Sequence, residues 1–193
     1  MSDGTLELGA VEGDGIIGVT VADVKLNMRV GGDYDNDLID GLFDAGVAAL
    51  ERMYGICIVR RNVKMVFVEF GDRLVLRRAN NMVLGAINYF DAFGVEQHFE
   101  LDGVRTEHDM TNFVSVKLRK GFSWPVHYGE FGEISVDYIA GWAAADDGFD
   151  KSIGQAIKLL VADWYKLKAD TSETKQYAIG NGVKALMGGF RPI

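Results

Sequence analysis

The stretch DYDNDLIDGLFDAGVAALERMYG (residues 33–55) carries the strongest fold signal in the sequence. Its apolar residues recur every three or four positions, which predicts an amphipathic α-helix. Asp33 or Asp35 can cap the start of this helix, and Gly55 can end it. The side chains on its predicted apolar side are Leu38, Leu42, Phe43, Ala45, Val47, Ala49, Leu50 and Met53. Such a side needs a partner element to cover it.

Three further segments show helical spacing. The first is VADVKLNMRV (residues 21–30), which follows a capping residue, Thr20, and is stopped by two glycines. The second is DKSIGQAIKLLVADWYKLKAD (residues 150–170), which Asp150 can cap. The last is GNGVKALMGG (residues 180–189), a short helix that ends at its glycine pair.

Between residues 60 and 140 the apolar period changes to two, which is typical of strands. The segments RNVKMVFVEF (residues 61–70), NFVSVKLRKG (residues 112–121) and EISVDYIAGW (residues 133–142) alternate most clearly. The pair Asp102-Gly103 is a hairpin signal. We therefore expect about five or six antiparallel strands in this region.

Helices on both sides of a run of strands predict an α+β fold, not a doubly wound nucleotide-binding sheet. The predicted architecture is a helical core, built from two N-terminal and two C-terminal helices, with an inserted antiparallel β-sheet. The length of 193 residues suits a single domain. Its expected parts are a flexible acidic arm (1–18), helices (20–55), the β insertion (60–140), helices (150–188) and a C-terminal tail (189–193).

The charge is unevenly distributed along the chain. The net charge is −8, and residues 1–55 hold eleven acidic and three basic residues, whereas the rest of the chain holds 17 of each. This distribution argues against a duplex-binding module, because such binding depends on Lys and Arg. The acidic third is either a solvated face or a surface that lets DNA pass without holding it. Candidates for lining a channel or an inter-subunit contact are Asp33, Asp35, Asp37 and Asp40.

Three basic pairs lie at the predicted strand edges: Arg60-Arg61, Arg77-Arg78 and Arg119-Lys120. Charge on an edge strand discourages aggregation, which is their simplest role. They could also contact the acidic first third of the next identical subunit, because segregated charge allows head-to-tail association into a ring.

Catalytic and metal-binding patterns are weak. Cys57 is the only cysteine, which excludes a disulfide within the chain and a cysteine-based zinc site. The acids after Asp33 lack the glycine at position six of a calcium loop, where Leu38 stands. His108 and Asp109 could form a base and its orienting acid, but no nucleophile accompanies them. We expect no catalytic residue, no cofactor and no bound metal.

The sequence also indicates no membrane association. Its N-terminus lacks the basic and apolar regions of a secretory signal, and no apolar run approaches the ~20 residues needed to span a bilayer.

Four stretches carry a resemblance to a known family. They are VTVADVKLNMRVGGDYDNDLIDGLFDAGVAALERMYG (residues 19–55), VDYIAGW (136–142), DKSIGQAIKLLVADWYKLKAD (150–170) and GVKALMGGFRPI (182–193). In order and spacing they resemble the head–tail connector, or adaptor, proteins of tailed phages. Two features depart from the family pattern. The proline that usually opens the third helix is absent, with Asp150 available as the cap, and the acidic arm before Val19 is longer than usual.

The resemblance implies a structural subunit, not an enzyme. Such a protein forms a twelve-fold ring that attaches to the portal after DNA packaging, extends the DNA channel and offers a platform for a stopper or other tail-side neck protein. DNA would pass through without specific binding. The implied location is the virion head–tail junction, reached from the host cytoplasm during assembly. The portal-contact candidates are Phe190, Arg191, Pro192 and Ile193.

Three alternatives remain open at this point. Within the neck, the chain could be a stopper or tail-completion protein, although those are mostly β. In a different class, it could be a small-molecule-binding or hydrolytic α+β domain that uses His108 and Asp109. The third is a nucleic-acid-binding module, which salt-sensitive affinity for DNA would reveal.

Overall fold

A computed structural model describes residues 4–11, 18–110, 112–143, 148–168 and 180–190. Helices and antiparallel sheets occupy separate parts of the chain, so the predicted α+β class is confirmed. The helices are α1 (Val21–Met28), α2 (Asn36–Tyr54), α3 (Lys151–Lys168) and α4 (Asn181–Leu186). The strands are β1 (Thr5–Val11), β2 (Arg61–Phe67), β3 (Leu74–Arg77), β4 (Val83–Phe90), β5 (Glu96–His98), β6 (Val104–Met110), β7 (Phe113–Leu118) and β8 (Ile134–Ala140).

Helix α3 is the centre of a helical unit, because α1, α2 and α4 all pack against it. The buried side of α2 carries Ile39, Val47 and Leu50, which meet Ile157 and Leu160 of α3 in one apolar cluster. The predicted apolar side of α2 was too wide, since the structure leaves three of its members exposed: Leu38, Ala45 and Met53. The reason is that α3 covers only one arc of the α2 surface.

The helix ends follow the sequence signals in most places. Thr20 forms a capping box with Asp23, and Gly55 ends α2 in the left-handed conformation. The Asp150 carboxylate accepts a hydrogen bond from the Ser152 amide at 2.8 Å, as an N-cap does. The prediction for the start of α2 was correct for the position and wrong for the bond: Asp35 is the N-cap residue, but its side chain makes no capping hydrogen bond. It accepts a hydrogen bond from the Tyr165 hydroxyl instead.

The capping box of α1 should make stability depend on pH. Hydrogen bonds from Thr20 hold the pKa of Asp23 below its usual value. A lowered folded pKa adds stability that is present above the unfolded pKa and is lost as the pH falls through the folded value. Urea unfolding at pH values from about 5 to about 2 should therefore show a smaller loss of stability for Asp23→Asn than for the wild type. Asp37→Asn, with the same charge change elsewhere, is the control, and an equal loss in Asp23→Asn and wild type would contradict the prediction.

The strands form two antiparallel sheets within the described residues. One has five strands in the order β1-β2-β8-β4-β5, and the other has three in the order β3-β7-β6. Alternate residues of β2 and β8 point into a core shared by both sheets, with Met65, Phe67 and Val136 fully buried. This alternation agrees with the period of two in the sequence, but the prediction of one sheet with five or six strands was wrong. Periodicity shows that a strand is half buried and does not show which strand pairs with it.

The N-terminal arm is partly a strand. Residues 5–11 were expected to lie in a flexible acidic segment, yet they form β1 and pair antiparallel with β2, with Leu6 opposite Met65. Leu6 packs on the core of the sheets, and the exposed edge of β2 supplies the backbone partners. The pairing overrides the glycine-rich, acidic composition that suggested disorder.

Asp102-Gly103 does not form the predicted hairpin. Both residues belong to a 3-10 turn, Leu101–Gly103, in which the Gly103 amide donates to the Glu100 carbonyl at 3.0 Å. This turn carries the chain from β5 in the larger sheet to β6 in the smaller one, so the flanking strands do not pair with each other. The tight connection lies instead between β6 and β7.

Candidate functional site

The helical unit and the sheets meet at a polar seam, which we call the junction (residues 55–60, 79–81, 112 and 141–142). Glu51, which is buried at the end of α2, lies against it. One carboxylate oxygen accepts from the amides of Ile58 (2.6 Å) and Val59 (3.2 Å). The guanidinium of Arg61 donates to both oxygens, at 3.2 and 3.1 Å. Glu51 therefore fixes the direction in which the chain leaves α2 and enters β2.

Two buried asparagines extend the junction. The side chain of Asn80 makes two hydrogen bonds with the backbone of Cys57: it accepts from the Cys57 amide at 2.8 Å and donates to the Cys57 carbonyl at 2.7 Å. Asn112, in the β6–β7 connection, donates to the Tyr54 carbonyl at the end of α2 at 2.8 Å. These bonds attach both sheets to the same end of α2.

Gly141 closes the junction on the side of β8. Its φ of 96° lies in the region that favours glycine, and a Cβ there would stand 2.6 Å from the Val59 carbonyl oxygen. The following residue, Trp142, forms a parallel bridge with Val59 and packs on the helical cluster. Glycine at position 141, directly after β8, is thus required by a close approach of two backbone segments.

The basic pairs are largely engaged within the subunit. Arg61 binds Glu51, Arg78 donates to the Ile56 carbonyl at 3.3 Å, and Arg119 donates to the Val104 carbonyl at 2.7 Å. One member of each pair therefore binds another part of its own chain. This arrangement weakens the hypothesis that the pairs serve mainly as contacts to a neighbouring subunit.

The four acidic candidates lie together around the start of α2. Asp33 accepts from Lys25 and Asn36, and the hydrogen bond from Asn36 is the main cause that holds its pKa below the usual value. Asp35 accepts from the Tyr165 hydroxyl at 2.5 Å, which ties α2 to α3. Asp37 and Asp40 are exposed on the first turns of α2. Two of the four, Asp33 and Asp35, therefore have structural partners within the chain, and the side chains of Asp37 and Asp40 are exposed.

Of the four residues predicted to contact the portal, the structure describes Phe190 alone. Phe190 is 4% exposed and packs in the helical cluster, and its amide donates to the Met187 carbonyl at 2.9 Å. It could contact a portal only by leaving this core. Arg191, Pro192 and Ile193 lie outside the described residues.

Two of the residues considered for catalysis, His108 and Cys57, lie in surroundings that do not favour that role. His108 is exposed on β6, and the side chain of Asp109 lies outside the described residues. Two surface grooves, of about 470 and 380 Å³, lie along β4 and β2, and His108 lines neither. Cys57 is buried, and this burial raises the pKa of its thiol to about 11, which disfavours a nucleophilic role. The exposed position of His108 argues against the hydrolytic alternative.

Metal and membrane signals are absent from the part of the chain that the structure describes. There, no group of three His, Cys, Asp or Glu side chains could hold a metal ion. No helix within the same ranges has the length and apolar character needed to cross a bilayer.

Sequence reasoning missed the junction residues, although one signal was present. Glu51 falls on the buried arc of α2, four residues after Val47 and three before Tyr54. An acidic residue at an apolar helical position is expected to have a buried partner. Nothing local in the sequence marks the hydrogen bonds between Asn80 and Cys57.

No protein-family model matches the chain, and no curated protein matches it. Solved structures do match. A chain in "Neck of empty GTA particle computed with C6 symmetry" superposes with a TM-score of 0.73 at 23% identity, over 98% of this chain and 96% of that one. A chain in "Virion of native gene transfer agent (GTA) particle" gives 0.72 at 24% identity, over 97% and 95%. A chain in "Neck of native GTA particle computed with C12 symmetry" gives 0.68 at 22% identity, over 94% of each.

These similarities extend over nearly the whole length of each chain, so they include both the helical unit and the sheets. The resemblance found in the sequence is thereby confirmed at the level of the fold. This chain has the fold of protein chains that occur in the neck and virion of gene transfer agent particles.

Proposed function

We propose that this chain is a structural adaptor at the head–tail junction of a tailed phage or phage-like particle. The observation that carries the proposal is the shared fold, over 94% of both chains, with a chain in a particle neck of C12 symmetry. In this role the protein performs no chemistry. It forms a ring of twelve beneath the portal, extends the DNA channel and provides a platform for the next neck protein.

A ring needs a heterologous contact that repeats and closes. The exposed acids Asp37 and Asp40 lie on one side of the helical unit and can take part in that contact or face the bore. A bore lined by acids conducts DNA while holding it weakly, since like charges repel. The subunit would assemble from the host cytoplasm onto a filled head, at the virion head–tail junction.

The tail after Phe190 is the proposed contact with the portal. Phe190 is anchored in the helical cluster, so the proposed contact residues follow directly after a residue held in the core. Arg191 and Ile193 are the proposed contacts, because arginine is enriched among interface anchors and an apolar side chain can be buried beside it. In this arrangement Phe190 positions the tail and does not itself touch the portal.

Pull-down of the purified full-length chain with its own portal tests the proposal. The wild type should bind, and deletion of residues 191–193 should reduce binding strongly while the fold remains, because Phe190 is kept. Binding that survives the deletion would discard the tail contact and keep the adaptor role. No binding to an intact portal would contradict that role.

A stopper role is the competing proposal within the neck, and the large β content keeps it in consideration. A stopper would bind only a portal that already carries its adaptor ring. An adaptor would bind the bare portal. The same pull-down, performed on both forms of the portal, separates the two.

Charge reversal in the acidic group should slow DNA exit if these residues line the bore. Particles assembled with Asp37→Lys and Asp40→Lys place additional cations along the channel, which attract phosphates. The expected result is slower DNA release, measured as the rate at which the fluorescence of a DNA-binding dye rises during ejection. Lysine substitutions at two exposed acids of the β part, Asp72 and Asp102, form the control. Equal ejection rates in both variants would remove the bore-lining role.

A further inference from the structure

A group of exposed aromatic and apolar side chains marks the turn between β4 and β5. Phe93 is 88% exposed there, and Val95, Tyr128 and Phe131 are also exposed large apolar residues. We call these four residues the aromatic tip. Solvent-exposed clusters of this kind are typical of interaction sites, since isolated apolar residues are common but groups of aromatic ones are not.

The aromatic tip is held in place by specific contacts. The Asp91 carboxylate accepts from the amides of Phe93 (2.8 Å) and Val95 (3.0 Å), and these bonds hold its pKa below the usual value. Gly94 has a φ of 73°, and a Cβ there would stand 3.1 Å from the Phe131 ring. Phe131 therefore packs on the turn that presents Phe93, and the exposure of Phe93 is built into the fold.

The two segments that form the aromatic tip are acidic. Residues 91–96 and 128–133 contain four acids and no Lys or Arg. Glu96 follows Val95, Glu130 precedes Phe131, and both glutamates are exposed. Exposed aromatic anchors beside exposed carboxylates are complementary to an apolar segment that carries Lys or Arg.

The aromatic tip lies at the end of β4 that is remote from the junction. Strand β4 starts at Val83, opposite Ile139 and next to the junction, and runs away from it to Phe90. At ~3.3 Å per residue, seven steps along β4 place the turn about 23 Å from the junction. Phe190, the residue before the proposed portal contact, packs in the helical cluster and not in the core of the sheets.

We propose that the aromatic tip docks a basic, apolar segment of the tail-side neck protein. The inference rests on the proposed adaptor function for its choice of partner, because the end of the subunit opposite the portal contact faces the tail. Phe93 and Phe131 are the anchors that the partner covers. Glu96 and Glu130 select for its positive charge.

Two binding measurements test the proposal: binding of the chain to purified tails and binding of the same chain to filled heads. The probes are purified tails that retain their neck-side proteins, and filled heads that lack this chain. The full-length chain carries Phe93→Ser with Phe131→Ser in one variant, and Glu96→Lys with Glu130→Lys in another. Val68→Ser, at an exposed apolar residue outside the tip, is the matched control. Circular dichroism of each variant verifies that it is folded.

Wild type and control should capture tails. The double serine variant should bind tails at least ~30-fold more weakly, as expected for loss of aromatic anchors. The lysine variant should also bind more weakly, and wild-type capture should weaken with added salt. All variants should bind heads equally.

The outcomes separate the two proposals. The docking proposal is overturned if the double serine variant captures tails as well as the wild type does, or if the wild type captures none. This conclusion does not depend on whether the chain binds heads. Tip-dependent tail capture without head binding supports the docking site and contradicts the adaptor function. Concentration-dependent self-association that the serine variant abolishes would make a second copy the occupant and would also overturn the proposal.

Discussion

Replacing Glu51 with Ala is expected to lower the free energy of unfolding by about 3–5 kcal/mol, the usual cost of breaking a buried ion pair on one side. The change removes the acceptor of two backbone amides, Ile58 and Val59. It also leaves the Arg61 guanidinium, which is largely buried, without its carboxylate. Unsatisfied buried donors cost more than the lost bonds contribute, so a large effect follows.

Urea unfolding at neutral pH, followed by circular dichroism, measures this effect. Asp44→Ala is the matched control, because Asp44 is an exposed acid on the same helix, and it should change stability by no more than about 0.5 kcal/mol. The double variant Glu51→Ala with Arg61→Ala should recover part of the loss, since it removes the uncompensated cation. A loss below about 1 kcal/mol in Glu51→Ala would mean that the junction does not depend on this carboxylate.

Replacing Gly141 with Ala should have the second large effect. Two costs add at this position: a left-handed backbone, worth about 1–3 kcal/mol for a residue with a Cβ, and a steric conflict. The conflict is with backbone, since the new Cβ would stand 2.6 Å from the Val59 carbonyl oxygen and 2.9 Å from the Arg60 nitrogen. No side-chain rotation can relieve it, so the bridge between Val59 and Trp142 must open.

Gly121 provides the control that separates these two costs. Its φ of 95° is nearly the same as that of Gly141, but no atom lies within 4 Å of a Cβ built there. Gly121→Ala should therefore show the backbone cost alone, and Gly141→Ala should be clearly less stable than Gly121→Ala in the same urea experiment. Equal losses in the two variants would show that the close approach at the junction contributes nothing.

Local signals predicted the helices well. The Thr20 cap, the Gly55 end of α2 and the Asp150 cap of α3 all depend on contacts within a few residues. The buried faces of β2 and β8 were also predictable, because alternation places Met65 and Val136 on one side whatever the pairing. The α+β class followed from the order of these elements.

Features that depend on distant parts of the chain were not predictable. Strand β1 forms because β2 offers an edge, and the division into two sheets depends on which strands pair. The hydrogen bond between Asn80 and Cys57 joins residues 23 positions apart. The bond from Ile58 to Glu51 joins the end of a helix to the segment that leads into a strand, and periodicity within either element does not predict it. The aromatic tip was not predicted, because the exposure of Phe93 is a property of the folded chain.

Some candidate residues have contacts that the sequence did not predict, because those contacts also involve distant parts of the chain. The four acids were expected to act as a group, but Asp35 is bound to Tyr165, a residue 130 positions away. Phe190 was expected to contact a partner, yet the helical cluster buries it, which restricts the proposed tail contact to residues 191–193. The resemblance predicted the fold, but the contacts that each side chain makes depend on how the chain packs.

The most direct test of the adaptor role is to count and locate this chain on the head. Filled heads that lack the protein are incubated with the purified full-length chain and examined by cryo-electron microscopy at the portal vertex. We expect a ring of twelve copies bound directly to the portal, with the helical unit towards the portal and the aromatic tip towards the tail. Heads whose intact portals carry no added density, or that bind the chain only after another ring is in place, would contradict the adaptor function.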